Sequence, residues 1–229
     1  MPTGPTGKRL PRAVREQQML DAAVAVFSRR GFHAAGMDEI AEEAGISKPM
    51  VYAYLGTKEE LFIACLHREG TRLMEAIARA VGPDLPPDEQ LWRGIRAFFA
   101  FVAAHRDGWG VLYRQARGQE PFAAELAGMR RRMIQVVAGL LERAVTRTGA
   151  TDAAGARRPT PGQSGSAPGP DLTAMAYALV GVAESLADWA AEHAGEDAEV
   201  TATRMMNFVW LGADARLRGA SWRPSACSD

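Results

Sequence analysis

This chain of 229 residues has only two cysteines, carries no net charge and contains no long apolar run, and each shortage excludes something. Cys65 and Cys227 share no metal-ligand or redox spacing, so reduced thiols are expected rather than a disulfide frame. With 27 basic residues against 27 acidic ones, a coat-like nucleic-acid binder is excluded, because sequence-independent affinity needs a strong positive field. Any basic surface must be local. No apolar stretch approaches the roughly 20 residues that span a bilayer. The N-terminus lacks an apolar signal core, so a cytoplasmic location is expected. The histidines at 33, 67, 105 and 193 are scattered, and no Gly-rich phosphate loop or His/Cys/Asp/Glu cluster at metal spacing is present. No catalytic residue, metal site or cofactor is therefore assigned. GQSGS at residues 162–166 lacks the last glycine of a nucleophile elbow and has no strand before it.

What the chain does have is the stretch MDEIAEEAGISKPMVYAYLGTKEELF, residues 37–62. Met37, Ile40, Ala41 and Ala44 fall at helical spacings of three and four, with Asp38, Glu39, Glu42 and Glu43 on the other side. Gly45 supplies a residue that turns out of a helix at positive φ, and Ile46 is an apolar plug. Ser47 is suited to cap a second helix, with Pro49 in its first turn. Val51 and Leu55 give that helix an inward stripe, which leaves Lys48, Pro49, Met50, Tyr52, Ala53 and Tyr54 for the outside and flanks. Thr57-Lys58-Glu59-Glu60 is a capping box opening a third helix, with Lys58 at its positive end, where a phosphate can be held. The pattern predicts a helix-turn-helix.

Before it, Lys8, Arg9, Arg12 and Arg15 place four cations within eight residues without an acid. Alone this is as well read as a solvated helix start; beside a helix-turn-helix it favours phosphate contact. Val14, Leu20, Ala23, Val24 and Phe27 predict the core face of that helix, Gly31 its end, and Phe32 a ring tucked beneath.

The run ISKPMVYAYLGTKEEL resembles the DNA-binding motif of the tetracycline-repressor (TetR) family of bacterial regulators. Its cap, small or apolar pair, aliphatic residue, Tyr, variable residue, His or Tyr, aromatic or aliphatic residue and following Lys are here Ser47, Pro49 and Met50, Val51, Tyr52, Ala53, Tyr54, Leu55 and Lys58. The likeness covers about 50 residues. It departs from the family before the second helix, where Ala35-Gly36 replaces the usual Thr or Ser and leaves that cap and its phosphate contact open. The resemblance implies DNA contacts by Arg12, Arg15, Lys48, Pro49, Met50, Tyr52, Ala53, Tyr54 and Lys58. It also implies that the last two helices form a four-helix bundle with those of a second subunit.

Beyond the motif everything reads as helix, giving an all-α fold. A flexible basic arm (1–11) precedes a DNA-binding domain (12–57) and a helical ligand-binding and dimerisation domain (58–229). The third helix runs on to Gly82-Pro83, longer than its DNA role requires, and is expected to link the domains. Another helix carries Trp92 and Phe99 and ends near His105 to Gly108. A short apolar segment follows. The next helix, from Pro121 to about Thr148, keeps a helical period in Phe122, Leu126, Met129, Met133, Val136, Val137, Leu140 and Val145. Residues 149–170 are almost wholly Gly, Ala, Pro, Ser and Thr and are expected to be a disordered loop. Two last helices, about 171–194 and 197–218, are apolar enough to be a homodimer interface, the bland reading being an internal core pair.

Trp92, Phe99, Trp109, Tyr113, Phe122, Met129 and Tyr177 offer walls for a ligand cavity, although aromatics at helical spacing are more often plain core. Glu184 and Asp188 sit one turn apart in the most apolar helix. A buried charge there demands a partner: a ligand, Arg114 or the second subunit. The expected function is a ligand-responsive repressor, binding a palindromic operator as a homodimer and released by a small apolar or amphipathic molecule. An architectural DNA-binding protein without a small ligand is the alternative, and a small helical enzyme a remote one.

Overall fold

The computed structural model describes residues 11–152, 170–193 and 195–217. Every regular element among them is helical, as expected: α1 (Arg12–Ala34), α2 (Met37–Glu43), α3 (Lys48–Leu55), α4 (Lys58–Ala80), α5 (Pro87–Ala104), a π-helical segment (Gly108–Tyr113), α6 (Arg114–Arg117), α7 (Phe122–Asp152), α8 (Pro170–Glu192) and α9 (Ala198–Leu217). They divide into two compact units. One holds the residues up to Arg72 together with His105–Ala127; the other holds Leu73–Ala104 and the residues from Gly128 onward.

In the first unit the core face of α1 begins at Met19 and continues through Leu20, Ala23, Val26 and Phe27. Val14, expected on that face, is instead 44% exposed, because the first turns of α1 bury no residue. At Gly31 the backbone leaves the helix with φ 75° and ψ 164°, a conformation glycine reaches without a Cβ clash. The chain then turns Phe32 inward, where it meets Phe27, Phe62 and Phe122 in one aromatic cluster. The segment from 105 to 127 is fastened to this unit by polar contacts as well. Ser28 Oγ donates to Asp107 at 3.1 Å, and the Phe32 amide donates to Gln115 Oε1 at 3.0 Å.

α4 starts as its capping box dictates. Glu60 N–H donates to Thr57 Oγ1 at 3.2 Å and the Thr57 amide to Glu60 Oε2 at 2.8 Å, so two otherwise orphaned donors are satisfied reciprocally. Gly56, at φ 71°, is needed twice over, since a side chain there would also collide with the Glu60 carboxylate. Ser47, by contrast, caps α3 with backbone only. Its carbonyl accepts from Met50 and Val51, and its hydroxyl makes no capping bond. About two turns further along α4, Arg68, its side chain 9% exposed, bonds Asp21 and Glu69 at 2.8 Å each and clamps α1 to α4. Cys65 beside it is buried, and desolvation pushes its thiol up to about 12, which keeps it protonated and unreactive.

The second unit packs α5 against α9 and α8. Phe98, Phe99 and Val102 of α5 and Ala202 and Met205 of α9 are buried. Gln90 is buried too. Its amide donates to the carbonyls of Pro83 and Leu85 at 3.2 and 2.8 Å, pinning the proline-rich break between α4 and α5. Along α7 the buried stripe is Ile134, Ala138, Leu141 and Ala144, whereas Val136 and Val145 of the expected stripe are 43% and 36% exposed. α7 carries apolar residues on two faces, and periodicity alone does not say which one is covered. The helix also persists to Asp152, four residues into the expected loop. The remainder of that loop, residues 153–169, lies outside the described residues.

Candidate nucleic-acid interface

α2 and α3 form the predicted helix-turn-helix. Ile40, Ala41 and Val51 are at most 4% exposed and Leu55 is 9% exposed. The Ile40, Val51 and Leu55 side chains each contribute roughly 1.5–3 kcal/mol by leaving water. Gly45, φ 65°, makes the turn, and the Ile46 amide donates back to Ala41 O at 3.0 Å. With the inward stripe committed to packing, Lys48, Pro49, Tyr52 and Ala53 stand exposed on the outer face of α3.

Met50 and Tyr54 are only half-exposed, and the start of α1 explains why. The Arg12 guanidinium lies 5.1 Å over the Tyr54 ring, and Arg15 Nη1 donates to Met50 Sδ at 3.4 Å. Two arginines of the basic segment therefore line α3 and hold two of its side chains in place, forming one surface from α1 and α3. A cation stacked on an aromatic face keeps most of its charge available to a phosphate on its other side. Lys8 and Arg9 lie outside the described residues.

α2 carries four acids, and cations meet three of them. Arg29 reaches Glu43 at 2.6 Å, Arg30 reaches Glu39 at 3.2 Å, and Lys48 Nζ reaches Asp38 Oδ2 at 3.0 Å. The first two neutralise the back of the helix. The third joins the first residue of α3 to the first turn of α2 on the exposed side, and Asp38 raises the pKa of the Lys48 ammonium above its ordinary value. Sequence reading placed Lys48 on the outside of its helix and Asp38 on the polar side of the one before, without pairing them. The signal was available: opposite charges at the starts of two helices joined by a tight turn.

Lys58 is placed differently from its expected role as a free phosphate ligand. Nζ donates to the carbonyls of His33 and Ala35 at 3.2 and 3.1 Å and lies 4.8 Å over the Phe32 ring. It thus caps the end of α1 and keeps one N–H in hand. Lys58→Ala is expected to cost about 1 kcal/mol of stability through these charge-assisted bonds and to lower the salt slope of duplex binding by roughly one unit. Denaturant titration and salt-dependent binding to a random duplex read the two effects separately. An unmoved midpoint would dismiss the capping role, and an unmoved slope the phosphate contact.

The residues proposed as cavity walls are not gathered into one unit. Trp109 and Tyr113 stack at 4.1 Å, and Phe122 joins the aromatic cluster, all in the first unit. Trp92, Phe99, Met129, Tyr177, Glu184 and Asp188 belong to the second. Within it Glu184, 8% exposed, accepts both oxygens' worth of bonding from Arg130 Nε at 3.0 Å each. The same guanidinium lies 5.7 Å over Tyr177. The cation that meets Glu184 is thus Arg130 of α7, which was not among the partners expected from the sequence; it lies 54 residues away, a separation at which no sequence spacing carries a signal.

Among the described residues no group of His, Cys, Asp and Glu could hold a metal ion, and no helix is long and apolar enough to cross a membrane.

A family model described as "Bacterial regulatory proteins, tetR family" matches residues 19–65. Another, "Tetracyclin repressor-like, C-terminal domain", matches residues 87–157. The crystal structure of a TetR-like transcriptional regulator from Rhodococcus sp. RHA1 is 43% identical, with a TM-score of 0.70 over 93% of this chain and 100% of that one. The chain belongs to the TetR family. The HTH-type transcriptional repressor NicS of Pseudomonas putida is 30% identical over 147 residues, covering 59% of this chain and 69% of NicS. The HTH-type transcriptional activator FasR of Mycolicibacterium smegmatis is 39% identical over 118 residues, which are 52% of this chain and 54% of FasR. The chain thus spans about half the length of that relative. As a TetR-family member it is a DNA-binding transcriptional regulator, and the first family model covers the whole of the helix-turn-helix described above.

Proposed function

We propose that this TetR-family chain is a ligand-responsive repressor that binds a palindromic operator as a homodimer and leaves it when a small apolar or amphipathic molecule binds. The surface formed by α1 and α3 carries the reading. Arg12 and Arg15 supply positive charge along α3, whose remaining outer side chains, Lys48, Pro49, Tyr52 and Ala53, have no packing duty. Lys48 donates to guanine; Pro49 and Met50 touch thymine methyls or exclude bases; Tyr52, Tyr54 and Lys58 hold phosphates.

One such surface covers only a few base pairs, and two set about one turn of DNA apart are commonly needed for a specific site. α8 and α9 are the pairing face. Tyr177, Val200 and Phe208 are 45%, 44% and 75% exposed in the single chain, an expense in apolar surface that a second copy would relieve. The effector binds among the aromatic residues of the second unit. α4, whose residues belong to both units, is the lever that changes the spacing of the paired recognition helices.

Selection from a random duplex pool by the full chain is expected to enrich an inverted repeat with half-sites about one helical turn apart. Enrichment of a single unrepeated site would sink the dimer reading. Addition of small apolar and amphipathic compounds to the operator complex then tests release, which an architectural binder would not show. The 39% identity to FasR favours a second reading, an activator. Deleting the gene decides the sign: a repressor's target promoter rises in activity, an activator's falls.

A further inference from the structure

Two of the ion pairs around α2 tie it back to α1, and the third joins it to α3. Lys48 and Asp38 meet at 3.0 Å with side chains 46% and 77% exposed, at the outer edge where α3 begins. Glu39 and Glu43 are turned to Arg30 and Arg29 of α1, whereas Asp38 is paired with the first residue of α3. An exposed pair of this kind contributes little to stability. An acid at the edge of a DNA-reading surface is also repelled by phosphates and by every acceptor in the major groove, so its presence there needs a counterpart in the groove.

We propose that Lys48 and Asp38 act as one unit that reads a single G·C base pair, Lys48 donating to guanine O6 and N7 and Asp38 accepting from cytosine N4.

The inference rests on the DNA-binding reading of α3. A G·C pair presents acceptors on guanine and an amino donor on cytosine side by side in the major groove, and the ion pair presents a donor and an acceptor side by side at 3.0 Å. The carboxylate makes the lysine selective. Without it, Lys48 is a flexible point charge that adapts to guanine, thymine O4 or adenine N7. With it, a base pair that sets another acceptor against Asp38 is penalised.

The test is selection from a random duplex pool with the full chain and with Lys48→Ala, Asp38→Ala and Asp38→Asn, all checked for an unchanged melting temperature. Wild type is expected to fix G·C at one position of each half-site. Lys48→Ala and Asp38→Ala should both broaden that same position, each by roughly fivefold or more, while Asp38→Ala also raises affinity for unrelated duplex. Asp38→Asn should admit adenine there, because an amide bonds N6 and N7 of adenine together. If Asp38→Ala tightens binding to all sequences alike and leaves the preference untouched, Asp38 merely neutralises Lys48 and the proposal is wrong. It is equally wrong if the two alanine variants broaden different positions. A wild type that selects no sequence overturns the DNA-binding reading itself, whereas a selective wild type with unaltered Asp38 variants overturns this proposal alone.

Discussion

Phe62→Ala is expected to lower the unfolding free energy by about 3–5 kcal/mol, the cost of removing a large side chain from a site that cannot collapse. Phe62 is fully buried and touches the three other rings of its cluster: Phe122 at 4.4 Å, Phe27 at 5.1 Å and Phe32 at 5.3 Å between centroids. Those rings come from α1, α4 and the start of α7, so deleting the central one opens a cavity between three segments rather than inside one. The edge-on arrangement of Phe62 with Phe27 and Phe32 adds aromatic pair energy to the transfer term. Phe62→Leu should cost less than half as much, since it retains most of the volume. Denaturant unfolding of the three proteins provides the measurement. A loss below about 1 kcal/mol for Phe62→Ala would show that the cluster closes over the gap, contrary to close packing.

The second large effect is expected at Arg130. Its guanidinium bonds both oxygens of Glu184 at 3.0 Å and joins α7 to α8. Arg130→Ala removes a bonded cation from a carboxylate that is 8% exposed, and stripping a desolvated charge of a counterion is costly. The Arg130 side chain is 31% exposed, so water screens part of the interaction. The expected loss is about 2–3 kcal/mol, below the range for fully buried pairs. Exchanging both residues at once, Arg130→Met with Glu184→Leu, should recover most of it, because the pair contributes little net once neither charge has to be desolvated. Melting temperatures of the single and double variants form the cycle. Equal losses in both would mean that the stability resides in the guanidinium stacked over Tyr177 and not in its bonds to Glu184.

Local order was legible in the residues themselves. The capping box at Thr57 and Glu60, the positive-φ glycines 31 and 45 and the inward Val51 and Leu55 all follow from short-range sterics, hydrogen bonding and the 3.6-residue period, which act within a few positions of the chain. These features, with the scarcity of cysteine and the absence of net charge, were enough to derive an all-α chain with a helix-turn-helix and its outward residues. The tertiary structure alone decided what those residues do once helices meet. It turned Lys58 from a free cation into a clamp on the carbonyls of His33 and Ala35, brought Arg130 to Glu184, and set Phe122 in the aromatic core of the first unit while Trp92, Phe99, Met129 and Tyr177 belong to the second. It chose Ile134 and Ala138 over Val136 as the covered side of α7. A period states that a helix has an apolar face, but when two faces qualify the choice belongs to whatever packs against it. An ion pair between residues 54 apart has no spacing to betray it. Lys48 and Asp38 stand between these cases: their exposure follows from the local pattern, and their pairing from the angle at which two short helices meet.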